Sequence, residues 1–256
     1  MTRAVSGVIL ALAALAAILF LPVFALRVAA CLVAALGAHE YARIAGTARG
    51  VSELLVIVAV IAMCWLTPMP LEAQWRLLLL MLALAWVAFE VLFLGRGVPQ
   101  AGASLVAPIY IGVPLGMLIA IQIVGSWRAT LLLIATVVVS DSAQYYTGRA
   151  FGRHHLAPTI SPKKTIEGAI GGLVFGTAFM AVVGSLALPA ARRASLIPVG
   201  VAVVVLGICG DLFESRLKRQ AGVKDSSLLI PGHGGVLDRI DALLFATPAF
   251  YIYFTS

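Results

Sequence analysis

Long hydrophobic runs dominate this chain, and short polar breaks separate them. Residues 5–21 and 199–209, for example, contain no charged side chain. A helix needs about 20 consecutive apolar residues to cross the hydrocarbon core of a bilayer. Because a soluble helix would interrupt such runs with a polar face, the pattern predicts helices that are surrounded by lipid.

Nine segments are long and apolar enough to be predicted as transmembrane helices. The predicted spans are residues 4–21, 23–38, 51–67, 75–95, 103–124, 129–147, 166–188, 196–213 and 241–255. We expect the first to be kept as an anchor, because its apolar run is longer than the roughly 7–15 residues of a signal-peptide core. The predicted fold class is therefore all-α, a polytopic integral membrane protein of about 8–9 transmembrane helices. Residues 1–256 would form a single membrane-embedded domain.

The composition supports this class and excludes others. Hydrophobic residues make up 62% of the chain and charged residues only 11%, whereas a soluble domain carries roughly a quarter charged residues. The three cysteines lie inside apolar runs without metal-ligand spacing, so neither a disulfide framework nor a zinc site is indicated. Membrane topology and anionic headgroups account for the net charge of +7, and no nucleic-acid partner is expected.

Basic residues are distributed unequally between the two predicted sides of the membrane. The N-terminal side carries 13 of the 18 lysines and arginines. The opposite side carries Arg27, Arg76, Arg128, Arg192 and Arg193. Since cytoplasmic segments are enriched in Lys and Arg, we expect a cytoplasmic N-terminus in a cell (inner) membrane.

Polar residues are concentrated in two segments, residues 141–168 and 211–241, which the span count places on that same cytoplasmic side. In the first segment, Ser161 followed by Pro162 predicts the start of a helix. Lysines at such a start, where the helix dipole already favours anions, indicate phosphate binding. Asp141 either forms a further polar wall, together with residues on its helical face, or pairs structurally with Arg149.

The second segment combines acids, bases and a glycine-rich turn. Asp211, Ser215 and Lys218 would share one face if the helix continues through them. Asp238 and Asp241 flank Arg239 at the start of the last span. Such carboxylates suit Mg²⁺, while Lys, Arg and backbone amides neutralise phosphate oxygens. The alternative is interfacial anchoring and helix capping, but the density of acids among the cations favours a functional site.

Two other features have structural interpretations. Gly168, Gly172 and Gly176 form a repeated small-xxx-small pattern, which predicts the close approach of another helix. The His39–Tyr41 cluster and Glu90 lie near span ends, where polar anchoring is routine. A catalytic role for either is the less favoured interpretation.

The second segment has a specific set of residues at fixed spacing: Ser215, Leu217, Lys218, Arg219, Lys224, Asp225, Ile230, Pro231, His233, Gly234, Gly235, Asp238, Arg239 and Asp241. This set closely resembles the hallmark motif of the phosphatidate cytidylyltransferase (CDP-diacylglycerol synthase) family. The first segment is similar to the family at Asp141, Gly148, Arg149, Phe151, Gly152, Ser161, Pro162, Lys164, Thr165, Glu167 and Gly168. More than ten positions at fixed spacing make this a specific resemblance.

The resemblance implies a nucleotidyltransferase that condenses CTP with phosphatidate, using Mg²⁺ and a monovalent cation such as K⁺ nearby. It implies metal ligands at Asp211 and Asp238, to which we add Asp141 as a third candidate. Lys218 and Arg239 are expected to act with the two main ligands in catalysis. The expected substrate-binding residues are Ser161, Lys163, Lys164, Thr165, Ser215, Arg219, Lys224, Asp225, His233, Gly234, Gly235 and Asp241. We also expect contact with membrane lipid and a homodimer.

Two other function classes could place polar residues in a membrane protein of this kind, a lipid kinase and a transporter. A CTP-dependent polyprenol or phytol kinase would share the fold but not the long second motif. A transporter would carry charges or helix breaks near mid-span in paired halves, whereas the ionisable residues here gather at one membrane face. These two classes are the alternatives to cytidylyl transfer.

Overall fold

A computed structural model describes residues 2–48, 50–69, 73–188, 193–230, 232 and 234–255. Over these residues the chain forms nine α-helices, one π-helical turn and one short β-hairpin. The helices are α1 Thr2–Phe20, α2 Val23–Ile44, α3 Val51–Leu66, α4 Ala73–Phe93, α5 Val98–Ala107, α6 Val113–Phe151, α7 Ile166–Ala187, α8 Arg193–Gln220 and α9 Leu237–Thr255. The π-helical turn is Pro108–Gly112, and the strands are β1 His155–Ala157 and β2 Ser161–Thr165.

The all-α membrane fold is confirmed, since the chain is helical almost throughout and its helices are apolar. By length and composition, four helical stretches within the described residues could cross a membrane: Val23–Ile44, Val98–Phe151, Ile166–Ala187 and Ala194–Gln220. The longest of them contains a non-helical residue, Ser126, with φ 67° and ψ 176°. This break separates the two spans predicted at 103–124 and 129–147. The total number of spans stays a prediction.

The predicted helix start at Ser161 is wrong, because residues Ser161–Thr165 form a strand instead. β2 pairs antiparallel with β1, with His155 opposite Thr165. The helix begins after Thr165, whose side-chain oxygen accepts the Gly168 N–H at 3.1 Å. Serine and threonine are both good N-caps. Because Ser161 pairs with β1 in the hairpin, Thr165 is the residue that caps α7.

Close packing of α6 against α7 sets the position of the polar ends of both helices. A Cβ atom on Gly168 would lie 2.7 Å from the Gln144 carbonyl oxygen, and one on Gly172 would lie 2.4 Å from Gln144 Cγ. A Cβ atom on Gly176 would lie 2.6 Å from Val204 Cγ2 of α8. The predicted close approach is confirmed, and its partners are helices of the same chain.

Aromatic packing joins α8 and α9 to the π-helical turn. The ring of Tyr110 lies 5.1 Å from Phe213 and 5.8 Å from Phe245, while these two rings lie 5.4 Å apart. Edge-to-face and tilted arrangements at these distances are favourable for aromatic rings. The cluster fixes α8 against α9, and these two helices carry the acids of the second polar segment.

Candidate active site

The two polar segments meet through an ion pair between the hairpin and α8. Lys164 of β2 contacts the carboxylate of Asp211. On the next turn of α8, the Ser215 hydroxyl lies 3.3 Å from the other carboxylate oxygen of Asp211. Helix α8 continues past its predicted end at residue 213, and Asp211, Ser215 and Lys218 therefore share a face as expected.

A pocket of about 290 Å³ opens beside this ion pair. Its lining residues are Asp141, Gln144, Tyr145, Gly148, Arg149, Lys163, Lys164, Thr165, Gly168, Ala169 and Asp211. Asp141 accepts a hydrogen bond from Gln144 at 2.9 Å and lies close enough to Asp211 for their charges to repel. Of the two predicted roles for Asp141, the structure favours the polar wall.

A second cluster of charges lies between α8 and α9. The Lys218 ammonium lies 2.6 Å from Glu214 and 2.5 Å from Asp238. Asp238 Oδ1 accepts from this lysine, and its Oδ2 accepts from Ser226 N–H, Ser226 O–H and Gly235 N–H at 2.8–2.9 Å. Asp238 lies before the span predicted at 241–255. Burial alone would raise the pKa of its carboxyl group. The Lys218 and backbone hydrogen bonds outweigh burial and lower that pKa to about 2.

A buried acid on α2 completes this second cluster. Glu40 is only 1% exposed. Its two carboxylate oxygens accept hydrogen bonds from Ser226, Ser227, Val236 and Leu237 at 2.6–3.0 Å. Glu40 is therefore bonded inside the protein and is not the interfacial anchor that its position near a span end suggested.

The remaining predicted residues differ in their contacts and exposure. Arg219 donates to the carbonyl oxygens of Ile160 and Val223, at 3.4 and 3.0 Å, and so connects α8 to the hairpin. Lys224, Asp225 and Arg239 are exposed, whereas Asp241 is partly buried in α9. Gly234 has φ +80°, a conformation that favours glycine. His233 lies outside the described residues.

A family model described as "Cytidylyltransferase family" matches residues 1–256 of the chain. The chain belongs to the cytidylyltransferase family. Its curated relatives include proteins named "Phosphatidate cytidylyltransferase" from three bacteria. That of Haemophilus influenzae is 48% identical over 131 residues, which is 48% of this chain and 46% of the relative. That of Thermotoga maritima is 43% identical over 129 residues, 48% of each chain. That of Bacillus subtilis is 38% identical over 154 residues, 59% of this chain and 57% of the relative.

The matched region spans about half the length of these relatives. The comparisons therefore show the family to which the chain belongs. Tetrahedral or carboxylate-rich metal sites can often be recognised from three converging ligands. In the part of the chain that the structure describes, no three Asp, Glu, His or Cys side chains converge in this way.

The donor set nevertheless fits one kind of magnesium site. Mg²⁺ is usually bound by one or two carboxylates together with water and substrate phosphates. Asp141 and Asp211 offer carboxylate oxygens on the wall of one pocket. Asp238 does not line this pocket and pairs with Lys218, whereas Asp211 pairs with Lys164. A site completed by substrate phosphates is therefore compatible with these cytidylyltransferase-family residues.

Two acids beside the site were not among the residues predicted for it: the sequence favoured an anchoring role for Glu40, and Glu214 was not singled out. Glu214 is fully buried and pairs with Lys218, which also pairs with Asp238. Both acids interrupt largely apolar segments, and an ionisable residue in such a place is by default a functional candidate. Glu90 is also fully buried, but it accepts from Ser104 at 2.6 Å and lies 3.9 Å from Arg96, away from the pocket.

Proposed function

We propose that this cytidylyltransferase-family protein is a phosphatidate cytidylyltransferase. It would convert CTP and phosphatidate to CDP-diacylglycerol and pyrophosphate in phospholipid biosynthesis. The observation that carries the proposal is the pocket at the end of α6, where Asp141 and Asp211 face Arg149, Lys163 and Lys164. The activity for which these relatives are named supports the same activity for the matched region.

The charges of the pocket suit two anionic substrates. A triphosphate and a lipid phosphate repel each other, and cations between them must neutralise that repulsion. Arg149, Lys163 and Lys164 line the pocket, and the exposed Lys224 and Arg239 lie in the second motif. We assign the first three to phosphate oxygens in the pocket and the last two to its rim.

The reaction needs positioning more than proton transfer. A phosphate oxygen of phosphatidate attacks the α-phosphorus of CTP, the bond between the α-phosphorus and the bridging oxygen breaks, and pyrophosphate leaves with that oxygen. Phosphatidate is already ionised at neutral pH, so no general base is required, and His233 is not assigned as one. Lys218, fixed between Glu214 and Asp238, would present a fixed positive charge to the transferring group.

Asp211 and Asp238 are the proposed magnesium ligands, with Asp141 as a third candidate. Mg²⁺, when bound, supplies charge neutralisation at phosphoryl oxygens. A monovalent cation such as K⁺ is proposed beside it. Asp225 and Asp241 would orient the neighbouring cations, while Ser161, Thr165, Ser215, Arg219, Gly234 and Gly235 would complete the substrate site.

Membrane orientation and assembly are part of the proposal. The chain is an integral membrane protein, and the excess of Lys and Arg supports a cytoplasmic N-terminus and active site in the inner membrane. We also propose a homodimer, to be checked by light scattering of the purified protein in detergent. Modification of single cysteines introduced near Lys224 would check the side of the membrane.

The decisive experiment follows the label of CTP into lipid. Purified protein in detergent is given phosphatidate, Mg²⁺ and CTP labelled with ³²P at either the α- or the γ-phosphate. Cytidylyl transfer puts only the α-label into lipid and releases the γ-label in pyrophosphate. A lipid kinase would put only the γ-label into lipid, and a transporter would label none. Either of these last two results, across varied lipid and metal conditions, would overturn the proposal.

Two variants test the assigned carboxylates. Asp211→Asn and Asp238→Asn keep the size of the side chain but remove its charge, so each should abolish turnover while the protein stays folded. Glu53→Gln is the matched control, since Glu53 pairs with His39 at 2.6 Å and does not line the pocket. A near-wild-type rate for either aspartate variant would remove that residue from the proposed metal site.

A further inference from the structure

Glu40 connects the N-terminal half of the chain to the segment that precedes α9. Its Oε1 accepts from Ser227 Oγ at 2.6 Å and from the Val236 N–H at 3.0 Å. Its Oε2 accepts from Ser226 Oγ at 3.0 Å and from the Leu237 N–H at 2.7 Å. One buried carboxylate on α2 thus holds both ends of residues 226–237.

The backbone donors lie where a helix leaves its own amides without partners. The first N–H groups of an α-helix cannot bond within that helix, and Leu237 is the first residue of α9. Glu40 satisfies this N–H and the one before it, so it caps α9 from another helix. A carboxylate at a helix N-terminus is also favoured by the helix dipole.

The same hydrogen bonds determine where Asp238 lies. The single Ser226 hydroxyl proton is shared between two carboxylates, since Oγ lies 3.0 Å from Glu40 Oε2 and 2.8 Å from Asp238 Oδ2. Asp238 directly follows Leu237 and contacts Lys218. Gly235 lies between these groups, and a Cβ atom there would come within 2.4 Å of both Glu40 oxygens. The approach is too close for any larger residue.

We infer that Glu40 is a positioning residue for the proposed cytidylyl transfer, acting through residues 226–237 on Asp238 and Lys218. Its expected effect on turnover rests on the proposed function. The pocket lining lies on α6, the hairpin, α7 and α8, whereas the four donors to Glu40 lie in residues 226–237. Gly234 and Gly235, the substrate-site residues of this segment, do not line the pocket, so Glu40 should affect turnover more than CTP binding.

The kinetic test is Glu40→Gln, which keeps the shape but replaces one oxygen with an NH₂ group that cannot accept from a backbone N–H. With both substrates saturating, kcat should fall by roughly 10–100-fold, the usual cost of losing a group that orients functional residues. The KM for CTP should change by less than about threefold. Glu53→Gln, the same acid-to-amide change on α3, should leave both constants unchanged.

A second test does not depend on the reaction. Lys224 is exposed in the connection that leads to residues 226–237, so trypsin cleavage after it reports local opening. Glu40→Gln should increase this cleavage rate about tenfold or more. Cleavage after the exposed Lys163 of the hairpin serves as an internal control and should not change.

The outcomes separate the two proposals. Faster cleavage at Lys224 together with a lower kcat supports the inference. Unchanged cleavage, or a higher KM at unchanged kcat, overturns it. If wild-type protein shows no cytidylyl transfer, the proposed function fails, while the cleavage rate still decides whether Glu40 holds the segment. If Glu40→Gln does not fold, Ser227→Ala removes one of the four bonds, and the same comparison of cleavage rates supports or overturns the inference.

Discussion

Replacing Gly235 with alanine would test a tightly packed point beside Glu40 and Asp238. The new Cβ atom would lie 2.1 Å from Ser226 Oγ and 2.4 Å from each carboxylate oxygen of Glu40. The backbone of Gly235 is not among the positive-φ glycines, so the effect of the methyl group is steric and not conformational. Glu40 or the segment has to move by about 1 Å to restore ordinary van der Waals contact.

A movement of this size breaks hydrogen bonds that are now 2.6–3.0 Å long. Hydrogen bonds to a charged group contribute about 1.5–3 kcal/mol each, so losing two of the four costs about 3–6 kcal/mol. This is a large part of the roughly 5–15 kcal/mol that stabilises a folded domain. Gly235→Ala should therefore lower the thermal unfolding temperature in detergent and reduce cytidylyl transfer.

Two other glycines provide matched controls for this substitution. A Cβ atom on Gly102 of α5 meets nothing within 4 Å, and one on Gly207 of α8 makes only ordinary contacts at 3.7 and 3.9 Å. Alanine at these helical positions should be neutral or stabilising by about 0.5–1 kcal/mol. If Gly235→Ala unfolds at the same temperature as these controls and keeps wild-type activity, the proposed packing around Glu40 is wrong.

Three further predictions concern the pocket, the helix packing and the metal. Lys164→Met removes a pocket cation and the partner of Asp211, so the KM for CTP should rise by about tenfold or more; an unchanged KM in steady-state assays would contradict this. Gly172→Leu inserts a side chain where a Cβ atom already meets Gln144 Cγ at 2.4 Å, and overpacking should cost at least about 1–3 kcal/mol, seen as a lower unfolding temperature. Excess EDTA should abolish label transfer and added Mg²⁺ should restore it, whereas full activity in EDTA would exclude the magnesium role.

The helices could be predicted from the sequence because lipid imposes a simple requirement on length and hydrophobicity. The convergence of the two polar segments could be predicted as well, since counting spans places them on one side. Lys164 and Asp211 do contact each other, and Asp141 does line their pocket. These features follow from local pattern and from the parity of membrane crossings.

The hairpin and the role of Glu40 could not be predicted in the same way. Ser161 and Thr165 are equally good helix caps by residue type, and only the pairing of β2 with β1 decides between them. Glu40 bonds to residues far away in the sequence, and no local pattern indicates such a partner. Its place in an apolar helix was a signal, but the hydrogen bonds depend on how α2 packs beside α9.

The lysine–carboxylate pairs have a consequence for the reaction cycle. Lys164 and Lys218 each already have a carboxylate partner within the protein. On the proposed function, an arriving phosphate competes with that internal counter-ion, so binding is an exchange of one anion for another. The net gain in free energy is then a difference between two ion pairs and not the full value of one. On the same basis, the carboxylates can pair with their lysines again when pyrophosphate leaves, which would favour its release.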